Sequence, residues 1–128
     1  MAQHNQLGAE GEKAAQQHLM ENGFVIREVN WKLNRLELDI VAEKDGCVVY
    51  VEVKTRSDEE SNPFEAIDHL KRQRFISAGV GYHKHFNLMQ EMRFDVITIK
   101  GTPGNFTIEH LEDAVRPRVR GLHSHRKL

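Results

Sequence analysis

Asp45-Gly46 separates two stretches, Leu36–Glu43 and Cys47–Thr55, in which apolar and polar residues alternate. A two-residue Asp-Gly loop suits the turn whose twist matches paired strands, so a β-hairpin is predicted here. With that loop, Lys44 faces Cys47 and paired positions sum to 91. Asp39 then lies opposite Glu52, and Glu37 opposite Lys54. Strand side chains alternate between faces. Glu37, Asp39 and Val41 are therefore expected on one face, with Leu36, Leu38 and Ile40 on the other. On the second strand Val48, Tyr50, Glu52 and Lys54 share a face, and Val49, Val51 and Val53 take its reverse. One sheet face should be apolar, and the other should carry acids and a lysine.

Like charges facing each other destabilise a sheet, and neighbouring carboxylates raise each other's pKa. A divalent cation turns that repulsion into attraction. Mg²⁺ favours one or two carboxylates, with waters and substrate phosphate completing its shell. Lys54, two residues beyond Glu52, could help deprotonate a water or steady developing phosphate charge. The bland alternative is an exposed face of compensating charges, and for Glu37 with Lys54 alone it is the favoured one.

The other elements follow from periodicity and punctuation. Leu7–Asn22 reads as a helix closed by Gly23, and Phe24–Trp31 as a strand. Residues 57–61 form a polar loop, and Asn62-Pro63-Phe64-Glu65 reads as the cap of a helix running to about Tyr82. Met92–Ile99 and Phe106–Leu111 read as strands around a turn at Gly101–Asn105. The order α-β-β-β-α-β-β predicts an α/β fold with a mixed sheet. On the first helix Gly8, Gly11, Ala15 and Leu19 share a stripe with Glu12. An acid on a packing face needs a partner. It either joins the site of Asp39 and Glu52 or pairs with a nearby lysine.

At 128 residues the chain is one domain, taken as residues 1–115 with a basic, flexible tail at 116–128. No apolar run is long enough for a membrane span. The polar start, Met1 to Gln6, does not resemble a signal peptide, and Cys47 is the single cysteine. A reducing, cytoplasmic setting and no membrane partner are expected. The net charge of −1 hides a split. Residues 1–115 hold 13 Lys and Arg against all 19 acids, a net of −6, while the tail holds five cations. The tail's Arg116, Arg118 and Arg120 are candidate phosphate contacts.

The ordered set of Glu12, Asp39 and Glu52-Val53-Lys54, framed by two helices, resembles the PD-(D/E)xK nuclease superfamily. More narrowly, the chain resembles the bacterial YraN-like family, which is similar to archaeal Holliday-junction resolvases. The likeness runs over nearly all of residues 7–115. It rests on Gly8-Ala-Glu-Gly-Glu12, Asn30-Trp31, Glu37-Leu-Asp39-Ile40, Val51-Glu-Val-Lys-Thr-Arg56, Lys71 with Arg74, Arg93-Phe-Asp-Val96 and Ile108–Ala114. It implies a restriction-endonuclease-like core, a central mixed sheet flanked by helices. It implies Asp39 and Glu52 as ligands of Mg²⁺, or of Mn²⁺ in its place, with the Val53 carbonyl as a further candidate. Lys54 would be the catalytic lysine and Glu12 a supporting acid. Leu36 stands where the family usually has Gly, which bears on the geometry near Glu37. The resolvase likeness implies branched DNA, and two cuts per junction imply a homodimer.

Lys71, Arg74 and Arg56 are candidate backbone contacts, with Arg72 pointing away from the Lys71–Arg74 stripe. Glu37 and Asp95 are candidate supporting acids, although Asp95 could equally pair with a cation such as Arg74. Trp31 reads as core, and His83, His85, His123 and His125 lack further ligands at zinc spacing. The expected activity is Mg²⁺-dependent endonucleolytic hydrolysis of DNA in repair or recombination. Two alternatives stay open: a non-catalytic nucleic-acid-binding or repair-complex protein on the same scaffold, and an interaction domain whose acids bind a cation for stability.

Overall fold

The computed structural model describes residues 2–56 and 69–117. The expected loop at 57–61, the cap at Asn62–Glu65, and Arg118 and Arg120 of the tail lie outside the described residues. Helix α1 (Ala2–Glu21) leads into β1 (Val25–Leu33), β2 (Leu36–Lys44) and β3 (Cys47–Arg56). Helix α2 (His69–His85) precedes β4 (Glu91–Thr102) and β5 (Asn105–Val115). This is the α-β-β-β-α-β-β order of an α/β fold.

The five strands form one sheet in sequence order. β3 and β4 run parallel, and the other neighbours are antiparallel. A parallel pair needs a crossover, and α2 lies in that connection. The Asp45-Gly46 turn has positive φ at both residues, 52° and 81°. The hairpin holds the expected register from Lys44↔Cys47 to Ile40↔Val51.

Two cores, one on each sheet face, replace the single apolar face expected. Val41, Val48, Tyr50, Phe94 and Val96 pack with Phe75, Ala78 and Tyr82 of α2. Ile40, Ala42, Val49, Val51, Ile97 and Ile99 pack with Ala15 and Leu19 of α1. Val48 and Val49 alternate between these cores, so the helices cover opposite faces. A sheet covered on both faces is mostly apolar on both, and Asp39 and Glu52 sit toward one end of it.

The alternation of β2 also breaks. Leu38 joins the α2 core, and Leu36 lies where a Cβ on Gly81 of α2 would meet it, whereas Ile40 joins the α1 core. The expected shared face of Leu36, Leu38 and Ile40 is therefore split at Asp39. β1 shows the same break. Glu28 accepts a hydrogen bond from Tyr82 Oη (3.2 Å), and Trp31 packs edge-on to the Tyr82 ring. Those two residues reach α2 although they are three apart. Between them, Asn30 is left-handed, with φ 53°.

α1 approaches the sheet closely. A Cβ on Gly11 would lie 2.8 Å from Thr55 Cγ2 and nearer still to its Oγ1. Glycine is what lets the helix cross β3 at Thr55, the residue after Lys54. Among the described residues no helix is long and apolar enough to cross a membrane.

Candidate functional site

The regular β2–β3 ladder stops at Ile40↔Val51. Beyond it the Val53 amide donates to Asp39 Oδ2 at 2.8 Å, so a carboxylate takes a place that a main-chain carbonyl holds elsewhere in a ladder. Asp39 and Glu52 end on one cleft of about 510 Å³, lined also by Arg35, Glu37, Lys54, Lys71, Arg74 and Phe75. β2 and β3 supply the acids and Lys54, α2 supplies Lys71 and Arg74, and the β1–β2 turn supplies Arg35.

Burial pushes the Asp39 carboxyl up to about 6, against the Val53 hydrogen bond and helped by the charge of Glu12. Burial also pushes Glu52 up to about 7, with Asp39 as the next cause. Both acids thus hold protons more tightly than solvent-exposed carboxylates. Lys54 is shifted the other way: burial lowers it, and neighbouring Lys71 lowers it further, against the attraction of Glu52 and Asp39. Two ammonium groups side by side favour loss of a proton from one of them. The chemistry available is a pair of hard oxygen donors beside an amine poised to lose its charge. Among the described residues no three His, Cys, Asp or Glu side chains form a group that could hold a metal by themselves.

Glu12 reaches the edge of this cluster from α1 and accepts a hydrogen bond from Asn30 Nδ2 at 3.0 Å. Glu37 is exposed at the cleft rim. Arg56 ends β3 opposite Lys100 and does not line the cleft. Arg72 lines a different cleft, of about 1050 Å³, with Arg116, which is ion-paired to Asp113 at 2.7 Å. Arg35 went unread in the sequence, and Asn30 was matched only as part of the resemblance, with no role given to it. Arg35 stands in a two-residue turn after left-handed Asn34 (φ 56°), and asparagine at a turn was the available signal. The left-handed backbone of Asn30 left no such signal, because the residue sits inside a strand.

Asp95 follows the second of its two expected readings, a structural pair with a cation, and the cation is Arg93. Its ladder partner Val51 belongs to the α1 core, whereas the Glu52 partner Val96 belongs to the α2 core. Asp95 therefore faces away from the cleft. It is fully buried and partners Arg93 in place of Arg74. It accepts two bonds from Arg93 (2.9 and 2.8 Å), one from His110 Nε2 (2.8 Å) and one from the Asp113 amide (2.9 Å). These bonds and the Arg93 charge hold its carboxyl below the usual value despite burial. His110 Nε2 donates to Asp95, and His110 Nδ1 shares a hydrogen bond with His18 Nε2 at 3.0 Å. The chain of bonds ties α1 to β5 and β4. Trp31 is core, packed on Tyr82, as expected. His83 is committed to Tyr50 Oη and the Gln90 carbonyl.

Fold and cleft define a three-layer α/β protein with an acid-and-lysine cleft at one end of its sheet. The chain belongs to the uncharacterised protein family UPF0102, which it matches over residues 11–99. It is 47% identical over 118 residues to a UPF0102 protein of Bacteroides thetaiotaomicron, covering 91% of this chain and 98% of that one. A UPF0102 protein of Flavobacterium johnsoniae is 40% identical over 119 residues, covering 89% and 97%. The matched range holds Glu12, Asp39, Glu52, Lys54, Lys71 and Arg74.

Proposed function

We propose that the protein is a metal-dependent endonuclease that hydrolyses phosphodiester bonds of DNA, with branched DNA as the favoured substrate, in cytoplasmic repair or recombination. The observation that carries this reading is the convergence of Asp39, Glu52 and Lys54 on one cleft whose walls hold Arg35, Lys71 and Arg74. The resemblance to the PD-(D/E)xK superfamily and its restriction-endonuclease-like core supports it.

The donor set fits Mg²⁺ or Mn²⁺. Two half-buried carboxylates whose protons are hard to lose gain most from a divalent ion, and two protein ligands leave room for water and phosphate. When bound, such an ion neutralises phosphate charge and acidifies water. Asp39 and Glu52 would hold it. Lys54, with its lowered pKa, is suited to take a proton at Nζ from the attacking water. The water oxygen forms the new P–O bond, one ester P–O bond breaks, and the departing oxygen is protonated by solvent. Lys71, Arg74 and Arg35 would neutralise the flanking phosphates, which position the strand without reading its sequence.

The test is cleavage of four-way and linear DNA by purified protein with Mg²⁺ or Mn²⁺. Cleavage that disappears in Glu52→Ala and Lys54→Ala supports the proposal. DNA binding without cleavage under either ion would leave the binding-only scaffold. Cleavage that survives Glu52→Ala would place the chemistry elsewhere.

A further inference from the structure

We propose that Asn30 is a positioning residue for the ion site, aiming the ligand Asp39 through its backbone and the supporting acid Glu12 through its amide. This rests on the metal-dependent reading above.

Asn30 lies in the interior of β1, where extended backbone is the rule, yet its φ is 53°. That conformation is costly for a non-glycine residue, and asparagine is among the residues that tolerate it best. The flanking pairs Val29↔Ile40 and Trp31↔Leu38 place Asn30 opposite Asp39. Both strands change face at this pair. Glu28 and Trp31 on one side, and Val41 and Leu38 on the other, all reach the α2 side although each two are three residues apart. The backbone of Asn30 and the break in alternation at Asp39 therefore fall at one level of the sheet. That is also the level where the β2–β3 ladder ends and Asp39 turns to the Val53 amide.

The side chain of the same residue donates to Glu12 Oε1 at 3.0 Å. Glu12 arrives on a helix from the opposite sheet face, held close by the Gly11–Thr55 contact. Its charge is felt by both Asp39 and Glu52. One asparagine thus links an acid of α1 to an acid of β2. Asparagine suits both tasks: aspartate would repel Glu12, and glycine has no donor.

Asn30→Gly keeps the left-handed backbone and removes the amide, whereas Asn30→Ala loses both. The full chain would be titrated with Mn²⁺ by calorimetry, with melting curves alongside. Asn30→Gly is expected to melt near wild type and bind Mn²⁺ on the order of tenfold more weakly, the usual effect of losing a group that orients a metal-site acid. In a Glu12→Ala background, Asn30→Gly should weaken binding no further. Unchanged affinity in Asn30→Gly, or an equal loss with and without Glu12, overturns the proposal. A wild-type chain that ignores Mn²⁺ sinks the metal reading instead. Asn30 is then judged in metal-free protein by NMR. The Glu12 carboxyl carbon should shift in Asn30→Gly, and the Val53 amide in Asn30→Ala alone; resonances that stay put refute the positioning role.

Discussion

The Asp39 carboxylate accepts the Val53 amide at 2.8 Å just where the β2–β3 ladder gives out. One side chain therefore completes the hairpin and faces the cleft. The two roles separate by substitution. An amide at this position, in Asp39→Asn, keeps an oxygen for the Val53 N–H while losing the charge. A methyl, in Asp39→Ala, leaves that N–H unpaired, at about 1–3 kcal/mol. Asp39→Asn should therefore melt at or above wild type in the absence of metal and lose Mn²⁺ binding, whereas Asp39→Ala should melt lower than Asp39→Asn and lose the ion as well. Calorimetry and thermal melting of the two variants check this, and retained Mn²⁺ affinity in Asp39→Asn counts against the site.

Stability should fall as pH rises in the metal-free protein. Asp39 and Glu52 have folded pKa values raised, to about 6 and about 7. Between their unfolded and folded values the folded state binds more protons than the unfolded chain, so a rise in pH favours unfolding. A shift of about two units at one group corresponds to roughly 3 kcal/mol, and two groups that repel each other share part of that cost. The lowered pKa of His18, set by burial and by His110, acts in the opposite sense. The difference between wild type and Glu52→Gln isolates the cleft. Wild type should lose more stability than the variant from pH 5 to pH 8, and Mg²⁺ should restore more at pH 8. Parallel curves for the two proteins would contradict the assigned burial.

Two glycines three residues apart on α1 should respond oppositely to alanine. Nothing lies within 4 Å of a Cβ added at Gly8, so Gly8→Ala gains helix propensity of about 0.5–1 kcal/mol. At Gly11 the new methyl meets Thr55, and the helix must move off β3 at about 1–3 kcal/mol. Chemical denaturation ranks the pair. Gly11→Ala should also weaken Mn²⁺ binding, because Glu12 moves with the helix, whereas Gly8→Ala should leave it unchanged.

The hairpin and its register were legible because Asp45-Gly46 prescribes a turn and alternation prescribes a partner. The stripe of Gly11, Ala15 and Leu19 was legible because helical spacing is local. The break at Asp39 was not, because it depends on the backbone of Asn30 in another strand. Arg35 was hidden for a similar reason: a turn residue enters a cleft only after the sheet has been assembled. The surroundings of Asp95 could not be read either, since His110 and His18 come from β5 and α1, and no local pattern states which distant cation a buried acid will find.

Asp95 should be necessary for the fold and unnecessary for the ion. It is fully buried and ionised, and it accepts from Arg93, His110 and the Asp113 amide. Removing its charge leaves the Arg93 guanidinium without its anion, and breaking such a pair costs roughly 3 kcal/mol. Its folded pKa is lowered, so its contribution is present above the unfolded value near 4 and is lost as pH falls through the folded value. Asp95→Asn should therefore unfold at lower urea and show a shallower stability loss below pH 4 than wild type. Because Asp95 faces the α1 core, away from the Glu52 cleft, the variant should bind Mn²⁺ as wild type does at temperatures where both are folded. A tenfold loss of Mn²⁺ affinity in folded Asp95→Asn would return this acid to the neighbourhood of the site.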